Sequence, residues 1–183
     1  MRTVQTISRK GLSEPYLGYF LSGFVEGEGS FNVSLRQKQD YKLKWQVVLS
    51  FNVSQKDPTL LVYLQKTLDC GIIKTRKKDN LHSLDVTKPK DIIEKVIPFF
   101  QKYPLMSSEK QKNFNIFCEI AELMKINSHL TPEGFERILL LRETLNVGIS
   151  RKRKYSIYDV FGKKSSETTR QTPEMGDDIV RTL

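Results

Sequence analysis

The run Leu21–Phe31 constrains this chain more than any other segment, because it specifies a helix, the end of that helix and the start of a strand. It reads Leu-Ser-Gly-Phe-Val-Glu-Gly-Glu-Gly-Ser-Phe. An apolar, glycine-rich helix therefore ends in Glu26 and Glu28, and a strand follows at once. Carboxylates are unfavourable at a helix C-terminus, where the helix dipole favours cations. We expect a bound cation to compensate for them.

The two glycines inside this run point to a close helix contact. Gly23 and Gly27 are four residues apart, the spacing at which small residues let two helix backbones approach. If two copies of the helix pack together, their Glu28 carboxylates converge, and the carbonyl of Gly27 can face the same ion. Hard oxygen ligands of this kind suit Mg²⁺, which can activate a water beside a phosphodiester. The alternative is an exposed, acid-rich helix end with no ligand.

The positive charge of the chain is concentrated on two segments. The chain has 183 residues and a net charge of +9. Residues 30–56 hold five Lys or Arg against one acid, and residues 70–78 hold four and no acid. In the first segment, residues 31–35 and 45–53 alternate apolar and polar residues, which predicts two strands with one face on a core. In the second segment, Ile72–Lys78 is predicted to be a shorter strand, paired with Leu81–Thr87. Concentrated charge is typical of a polyanion-binding surface, whereas solubilising lysines would be spread more evenly.

The order of the predicted elements is α-β-β-α-β-β-α, followed by two more helices. We expect an α+β fold in which one mainly antiparallel, four-stranded sheet is covered by helices on one face. Pro98 is expected to interrupt the third helix. The predicted helix starts are Ser13-Glu14-Pro15, Asp57-Pro58, Lys88-Pro89, Ser107-Ser108 and Thr131-Pro132.

The other face of the predicted sheet is polar and basic. Arg, Lys, Asn, Gln and Ser side chains read base edges and phosphates, and a two-stranded ribbon fits the major groove of DNA. Tyr41, at the tip of the first hairpin, either contacts DNA or packs on its own turn. The predicted DNA-binding set is otherwise Asn32, Ser34, Arg36, Lys38, Lys44, Gln46, Ser50, Asn52, Lys74, Arg76 and Lys78.

The composition also sets expectations for organisation and location. We expect a basic arm over residues 1–12, one domain over 13–150 and a disordered tail over 151–183, whose basic start could grip phosphates. No apolar run is long enough to span a bilayer, and no secretory signal is visible. Cys70 and Cys118 are expected to be buried free thiols. A bacterial cytoplasm or an organelle is therefore favoured over secretion or a membrane partner.

The run Leu21–Ser30 closely resembles the signature of the LAGLIDADG homing endonucleases, whose core has the same order of elements. Phe51–Lys56 and Lys110–Phe114 resemble further segments of that family, so the resemblance covers roughly residues 13–125. It implies a curved antiparallel sheet that binds DNA, and cleavage of long double-stranded sites to leave 3′ overhangs. A single motif implies a homodimer with its active centre at the subunit boundary and a pseudo-palindromic target.

The resemblance also implies roles for individual residues. Glu28 would be the metal-binding carboxylate, with the Gly27 carbonyl beside it, and Glu26 would have a capping or interface role. Gln55 would position water near the metals. The implied cofactor is Mg²⁺, with Mn²⁺ as a substitute and Ca²⁺ supporting binding without cleavage.

Two questions stay open at this point. The basic residue near the scissile phosphate is expected to be Lys110, with Lys112 as the alternative. The protein, expected to be intron-encoded, could instead be a maturase that binds its host intron RNA, or a DNA-binding module without catalysis. The presence of both Glu26 and Glu28 favours cleavage.

Overall fold

The computed structural model describes residues 15–147 and 153–161 of the chain. The strands are β1 (Gly29–Gln37), β2 (Trp45–Gln55), β3 (Ile72–Arg76) and β4 (Leu81–Val86). The longer helices are α1 (Tyr16–Glu28), α2 (Thr59–Leu68), α5 (Ser108–Lys125) and α6 (Pro132–Thr144). The shorter helical segments are α3 (Pro89–Asp91), a π-helical turn (Ile92–Val96), α4 (Ile97–Lys102), a 3₁₀ turn (Ser128–Leu130) and α7 (Ile157–Phe161).

The four strands form one antiparallel sheet with the order β1-β2-β4-β3. In the first hairpin, Gly29 lies opposite Val53 and Gln37 lies opposite Trp45. Alternate residues of β1 and β2 are buried under the helices, as their period-two pattern predicts. The predicted α+β architecture, with helices on one face of the sheet, is confirmed.

Phe31 lies at the centre of the core. Its ring centroid is 5.2–5.4 Å from those of Phe51, Phe100, Phe114 and Phe117, which come from β2, α4 and α5. Such ring pairs add to the stabilisation from burial alone. This cluster determines which face of β1 points inward, and therefore which face carries the polar residues.

The helix starts follow the predicted signals in part. Ser107 and Thr131 are N-caps whose hydroxyls accept hydrogen bonds from the amides of Lys110 and Gly134. The first helix differs, because Pro15 occupies its N-cap position and makes no side-chain cap. Ser13 lies outside the described residues.

Pro98 does not interrupt its helix, and that prediction was wrong. Helical structure continues from Pro89 to Lys102 through the π-helical turn, in which the amide of Ile97 donates to the carbonyl of Ile92. Pro98 lies in the first turn of α4, where a proline needs no amide donor. The wider turn lets the chain change its hydrogen-bond register just before the proline.

Residues 153–161 pack on the domain, so the predicted disordered tail is wrong for this part. The guanidinium of Arg153 donates to the carbonyls of Arg142 and Leu145, and Tyr155 packs against Trp45 with ring centroids 4.9 Å apart. Residues 1–12, Arg151, Lys152 and residues 162–183 lie outside the described residues.

Cys70 and Cys118 are free, and both are half-buried rather than fully buried. Within residues 15–147 and 153–161, every helix is too short or too polar to cross a membrane.

Candidate active site and nucleic-acid interface

Glu28 is the last residue of α1 and is exposed to solvent. The last turn of α1 contains no Lys or Arg, and Glu28 makes no hydrogen bond or ion pair with any residue that the structure describes. The carbonyl of Gly27 belongs to the same last turn, where carbonyls lack donors from their own helix. Glu28 and Gly27 therefore present oxygen atoms that are free to bind a cation.

Glu26 is engaged in the structure, unlike Glu28. Its carboxylate accepts hydrogen bonds from the amides of Met106 (2.8 Å) and Ser107 (3.1 Å) and from the Ser107 hydroxyl. Partial burial raises the pKa of Glu26. These hydrogen bonds and the charge of Lys110 together lower it by more, so the pKa lies below its ordinary value. A bound cation was expected to compensate for the charge of Glu26. It is not needed, because the N-terminus of α5 stabilises that charge.

The structure brings Lys110 to the end of α1, and it does not bring Lys112 there. The Nζ of Lys110 donates to the carbonyl of Gly29 at 2.7 Å, one residue after Glu28. Two residues further along, Lys112 points away by more than half a helical turn. It lines a shallow groove of about 530 Å³ on α5, next to Thr144.

Gln55 is the last residue of β2 and is half-buried. Val53 lies opposite Gly29, so Gln55 is two residues beyond this pair, at the same end of the sheet as Glu28. Its register partner on β4 is His82. Gln55 and Glu28 share an end of the molecule, but no hydrogen bond joins them in the part of the chain that the structure describes.

The face of the sheet away from the helices carries most of the predicted DNA-binding residues. Asn32 lies opposite Ser50, and Arg36 lies opposite Gln46. The side-chain amide of Asn32 donates to that of Asn52 at 2.9 Å. Ser34, Lys74 and Arg76 lie on the same face by register.

Four of the predicted DNA-binding residues lie in turns rather than on strands. Lys38 and Lys44 close the first hairpin, where the Lys38 amide donates to the Lys44 carbonyl at 2.9 Å. Lys44 has a left-handed backbone (φ 61°), and its ammonium donates to the Gln39 carbonyl at 2.8 Å. Lys78 lies in the turn after β3. In the first hairpin, the Tyr41 hydroxyl accepts a hydrogen bond from Gln46 at 3.0 Å, so Tyr41 is fastened to its own hairpin.

Both basic residues of β3 have acidic partners. Lys74 pairs with Asp85 of β4 at 3.1 Å, and Arg76 pairs with Asp79 of the following turn at 2.5 Å. These ion pairs are largely exposed, so Lys74 and Arg76 can leave their acidic partners and bind a phosphate instead at little cost in free energy.

A groove of about 970 Å³ lies over the polar face, and part of its wall was not predicted. Its floor includes Ser30 and Asp85, while Asn146 and Tyr155 belong to the wall that follows α6. The amide of Asn146 donates to the Phe31 carbonyl at 2.8 Å, which attaches this wall to β1. Asp85 could have been found from the alternation of β4, but no sequence pattern marks Asn146.

One face of α1 has no partner among the described residues. A Cβ added at Gly23 or Gly27 would meet no atom within 4 Å, whereas one added at Gly18 would overlap the Tyr103 ring. Tyr16 and Phe20 are 65% and 49% exposed beside the two open glycines. Gly18, which was not predicted, is therefore the glycine at which α1 packs closely inside this chain.

Within the described ranges, no group of three or more His, Cys, Asp or Glu converges to hold a metal ion. The Glu28 carboxylate and the Gly27 carbonyl, the oxygen atoms predicted to bind a metal ion, both lie in the last turn of α1.

Comparisons with known proteins identify relatives of this chain. Residues 21–121 match the family profile described as LAGLIDADG endonuclease. The chain is 34% identical to "Probable intron-encoded endonuclease 2" of Neurospora crassa, over 79% of this chain and 32% of that protein. It is 31% identical to DNA endonuclease I-CreI of Chlamydomonas reinhardtii, over 63% of this chain and 68% of that protein.

The fold also matches a solved structure, that of I-SmaMI bound to an uncleaved DNA target in the presence of calcium ions. The TM-score is 0.68 and the identity is 35%, over 70% of this chain and 44% of that chain. The chain spans about a third of the length of the Neurospora relative and less than half of I-SmaMI.

Proposed function

Because the chain belongs to the LAGLIDADG endonuclease family, we propose that it is a site-specific homing endonuclease that hydrolyses phosphodiester bonds in double-stranded DNA. One observation carries this proposal. The unpartnered Glu28 carboxylate and the Lys110 ammonium, held on Gly29, lie at one end of a polar, basic sheet face. This arrangement places an anionic metal ligand and a cation beside a surface suited to DNA.

We infer that two copies of the chain form the active enzyme. The open face of α1, with Gly23 and Gly27, permits a close approach to a second α1. A two-fold axis through this contact would bring the two Glu28 carboxylates together, which supplies the ligands that one chain lacks. Such a dimer has two identical sheets and would recognise a pseudo-palindromic site.

Membership of this family implies use of a divalent metal ion, and we propose Mg²⁺. Its ligands would be the Glu28 carboxylate and the Gly27 carbonyl, since Mg²⁺ prefers hard oxygen donors. A bound divalent ion supplies Lewis-acid stabilisation of the leaving 3′ oxygen and lowers the pKa of water. In this proposal Gln55 orients the attacking water, and Lys110 stabilises negative charge on the scissile phosphate. Mn²⁺ would substitute, and Ca²⁺ would support binding without cleavage.

The proposed DNA-binding surface is the polar face of the sheet together with the turns at its ends. Asn, Gln and Ser side chains of β1 and β2 would read base edges, while Arg36, Lys38, Lys44, Lys74, Arg76 and Lys78 would contact bases or phosphates. The DNA-bound relative I-SmaMI supports double-stranded DNA as the ligand. We place the endonuclease domain at residues 13–150, with residues 153–161 packed on it.

We further propose that an intron encodes this protein, as the name of the Neurospora relative says of that protein. Its compartment would be an organelle or a bacterial cytoplasm. The test is to incubate the dimeric protein with DNA that spans an intron-less copy of its host gene, with Mg²⁺ or with EDTA. We expect a metal-dependent cut near the intron insertion point that leaves 3′ overhangs. Absence of any cut, with tight binding to the intron transcript, would assign a maturase role instead.

A further inference from the structure

A closed ring of contacts joins the end of α1 to the start of α5. The Glu26 carboxylate holds Met106 and Ser107, which are 80 and 81 residues away in the sequence. The Ser107 hydroxyl donates to Glu26 and accepts from the amide of Lys110 at 3.3 Å. The Lys110 side chain then returns to the Gly29 carbonyl at 2.7 Å.

Each contact in this ring has a physical reason. The N-terminus of α5 has amides without partners in their own helix, and a carboxylate there is stabilised by the helix dipole. Ser107 is the N-cap, so its hydroxyl fixes the first turn in which Lys110 lies. The Lys110 ammonium in turn reaches a carbonyl just past the C-terminus of α1, where a cation is favoured.

We propose that Glu26 is a positioning residue, which acts through Ser107 to hold the Lys110 ammonium at the candidate active site. The inference that this affects catalysis rests on the proposed function, because that function gives Lys110 its role. The positioning of Lys110 by Glu26 and Ser107 does not depend on the proposed function. Glu26 itself touches neither the DNA nor the metal in this proposal.

The position of the first turn of α5 depends on this ring more than the rest of the helix does. Phe114 and Phe117 are buried in the core and hold the middle of α5. Leu105, just before the helix, is buried, but Met106 is 89% exposed and Ser107 and Ser108 are also exposed, so the side chains of the first turn gain little from apolar burial. Loss of the Glu26 contacts is therefore expected to loosen the first turn while the helix remains folded.

The test compares Glu26→Gln and Ser107→Ala with Glu109→Gln, an acid-to-amide control in the same turn of α5. A glutamine has one acceptor oxygen, and its NH₂ group opposes the donors of Met106 and Ser107. We expect single-turnover cleavage in Mg²⁺ to slow by about 10- to 100-fold in both test variants. DNA affinity in Ca²⁺ should stay close to that of the control, and the unfolding midpoint should fall only by the small amount expected for a lost N-cap, with the protein still folded.

A double-mutant cycle separates positioning from a general structural effect. If Glu26 acts through Lys110, Glu26→Gln should cause almost no further loss of cleavage in a Lys110→Met background. Additive losses would mean that Glu26 acts independently of Lys110, and the proposal would fail.

A second readout needs no cleavage. A hydrogen bond to a carbonyl slows the proton exchange of a lysine ammonium, so at low temperature and mildly acidic pH Lys110 should give an Nζ–H NMR signal, assigned by its loss in Lys110→Met. We expect the signal to disappear in Glu26→Gln and Ser107→Ala and to persist in Glu109→Gln. Persistence of the signal in Glu26→Gln would overturn the proposal. If the wild type fails to cut DNA but the signals behave as expected, the proposed function fails and the positioning role of Glu26 stands.

Discussion

The guanidinium Nε of Arg142 donates to the carbonyl of Val33 at 3.1 Å, across 109 residues of sequence. Arg142 is 3% exposed and also donates to the Tyr155 carbonyl at 2.8 Å and to Glu143. β1 is an edge strand of the sheet, so Arg142 satisfies a carbonyl that would otherwise be open to another strand. The same side chain holds the wall of the groove over the polar face.

Replacing Arg142 by Met should destabilise the protein by about 2–4 kcal/mol, because it leaves the Val33 and Tyr155 carbonyls without donors. The measurement is urea unfolding followed by circular dichroism. Arg137→Met is the matched control, since Arg137 forms an exposed ion pair with Glu119, and its cost should be below about 0.5 kcal/mol. Equal costs for the two variants would contradict this assignment.

Glu28→Gln should lower the cleavage rate by at least about 10³-fold, equivalent to about 4 kcal/mol in the activation barrier. The amide removes the negative charge that binds the metal but keeps the shape of the side chain. DNA binding in Ca²⁺ should stay near wild type, and Glu94→Gln, on the π-helical turn, serves as the control. A Glu28→Gln protein that still cuts in Mg²⁺ would show that the metal assignment is wrong.

Gly23→Leu should prevent dimerisation without a clash inside the chain, because a side chain at Gly23 meets open space. Gly18→Ala should instead cost about 1–3 kcal/mol of folding stability, since its methyl group overlaps the Tyr103 ring. Sedimentation velocity reports the first effect and urea unfolding the second. A Gly23→Leu protein that remains fully dimeric would exclude this face of α1 as the dimer contact.

Arg36→Ala should reduce the slope of log binding constant against log salt concentration by about one, if Arg36 contacts a phosphate. Lys74→Ala should reduce the slope by a similar amount if Lys74 exchanges its exposed ion pair with Asp85 for a phosphate. Lys90→Ala, on the short helix α3 after the sheet, is the control and should leave the slope unchanged. Titrations of labelled duplex in Ca²⁺ at several salt concentrations give these slopes. Unchanged affinity and slope for Arg36→Ala would remove Arg36 from the interface.

The two cysteines should react slowly with alkylating reagents in the folded protein. Burial, with a smaller contribution from Asp91, raises the pKa of Cys70 to about 11, and burial raises that of Cys118 to about 12. The thiolate is the reactive form, so at pH 8 only about one molecule in 10³ or fewer carries it at either site.

The same shifts give stability a pH dependence. The folded state keeps the thiol protons at pH values where the unfolded chain, with a pKa near 8.5, loses them. This contribution is therefore complete below about pH 8.5 and declines as the pH rises toward 11 and 12. Mass spectrometry of iodoacetamide labelling, native against urea-unfolded, checks the reactivity. Equal labelling rates in the two states would contradict the burial of these thiols.

Much of the local structure was predictable because the signals lie close together in the sequence. Alternation from Trp45 to Val53 specified which side of β2 meets the core, and the hydroxyls of Ser107 and Thr131 specified two helix starts. Glu28 at the end of an apolar helix was predictable for the same reason. The prediction for Pro98 was wrong because a π-helical turn directly before it lets the helical structure continue past a proline that would end a regular α-helix.

The sequence by itself determined the order of the helices and strands, the polar and basic face of the sheet and the presence of one acidic motif, because residues within a few positions of each other carry those patterns. Only the tertiary structure decided that Glu26 caps α5, that Lys110 rather than Lys112 reaches Gly29, and that a buried Arg142 closes the edge of β1. Those contacts join residues 81 to 109 positions apart. Their partners are selected by how the helices pack on the sheet, and no local pattern records that packing.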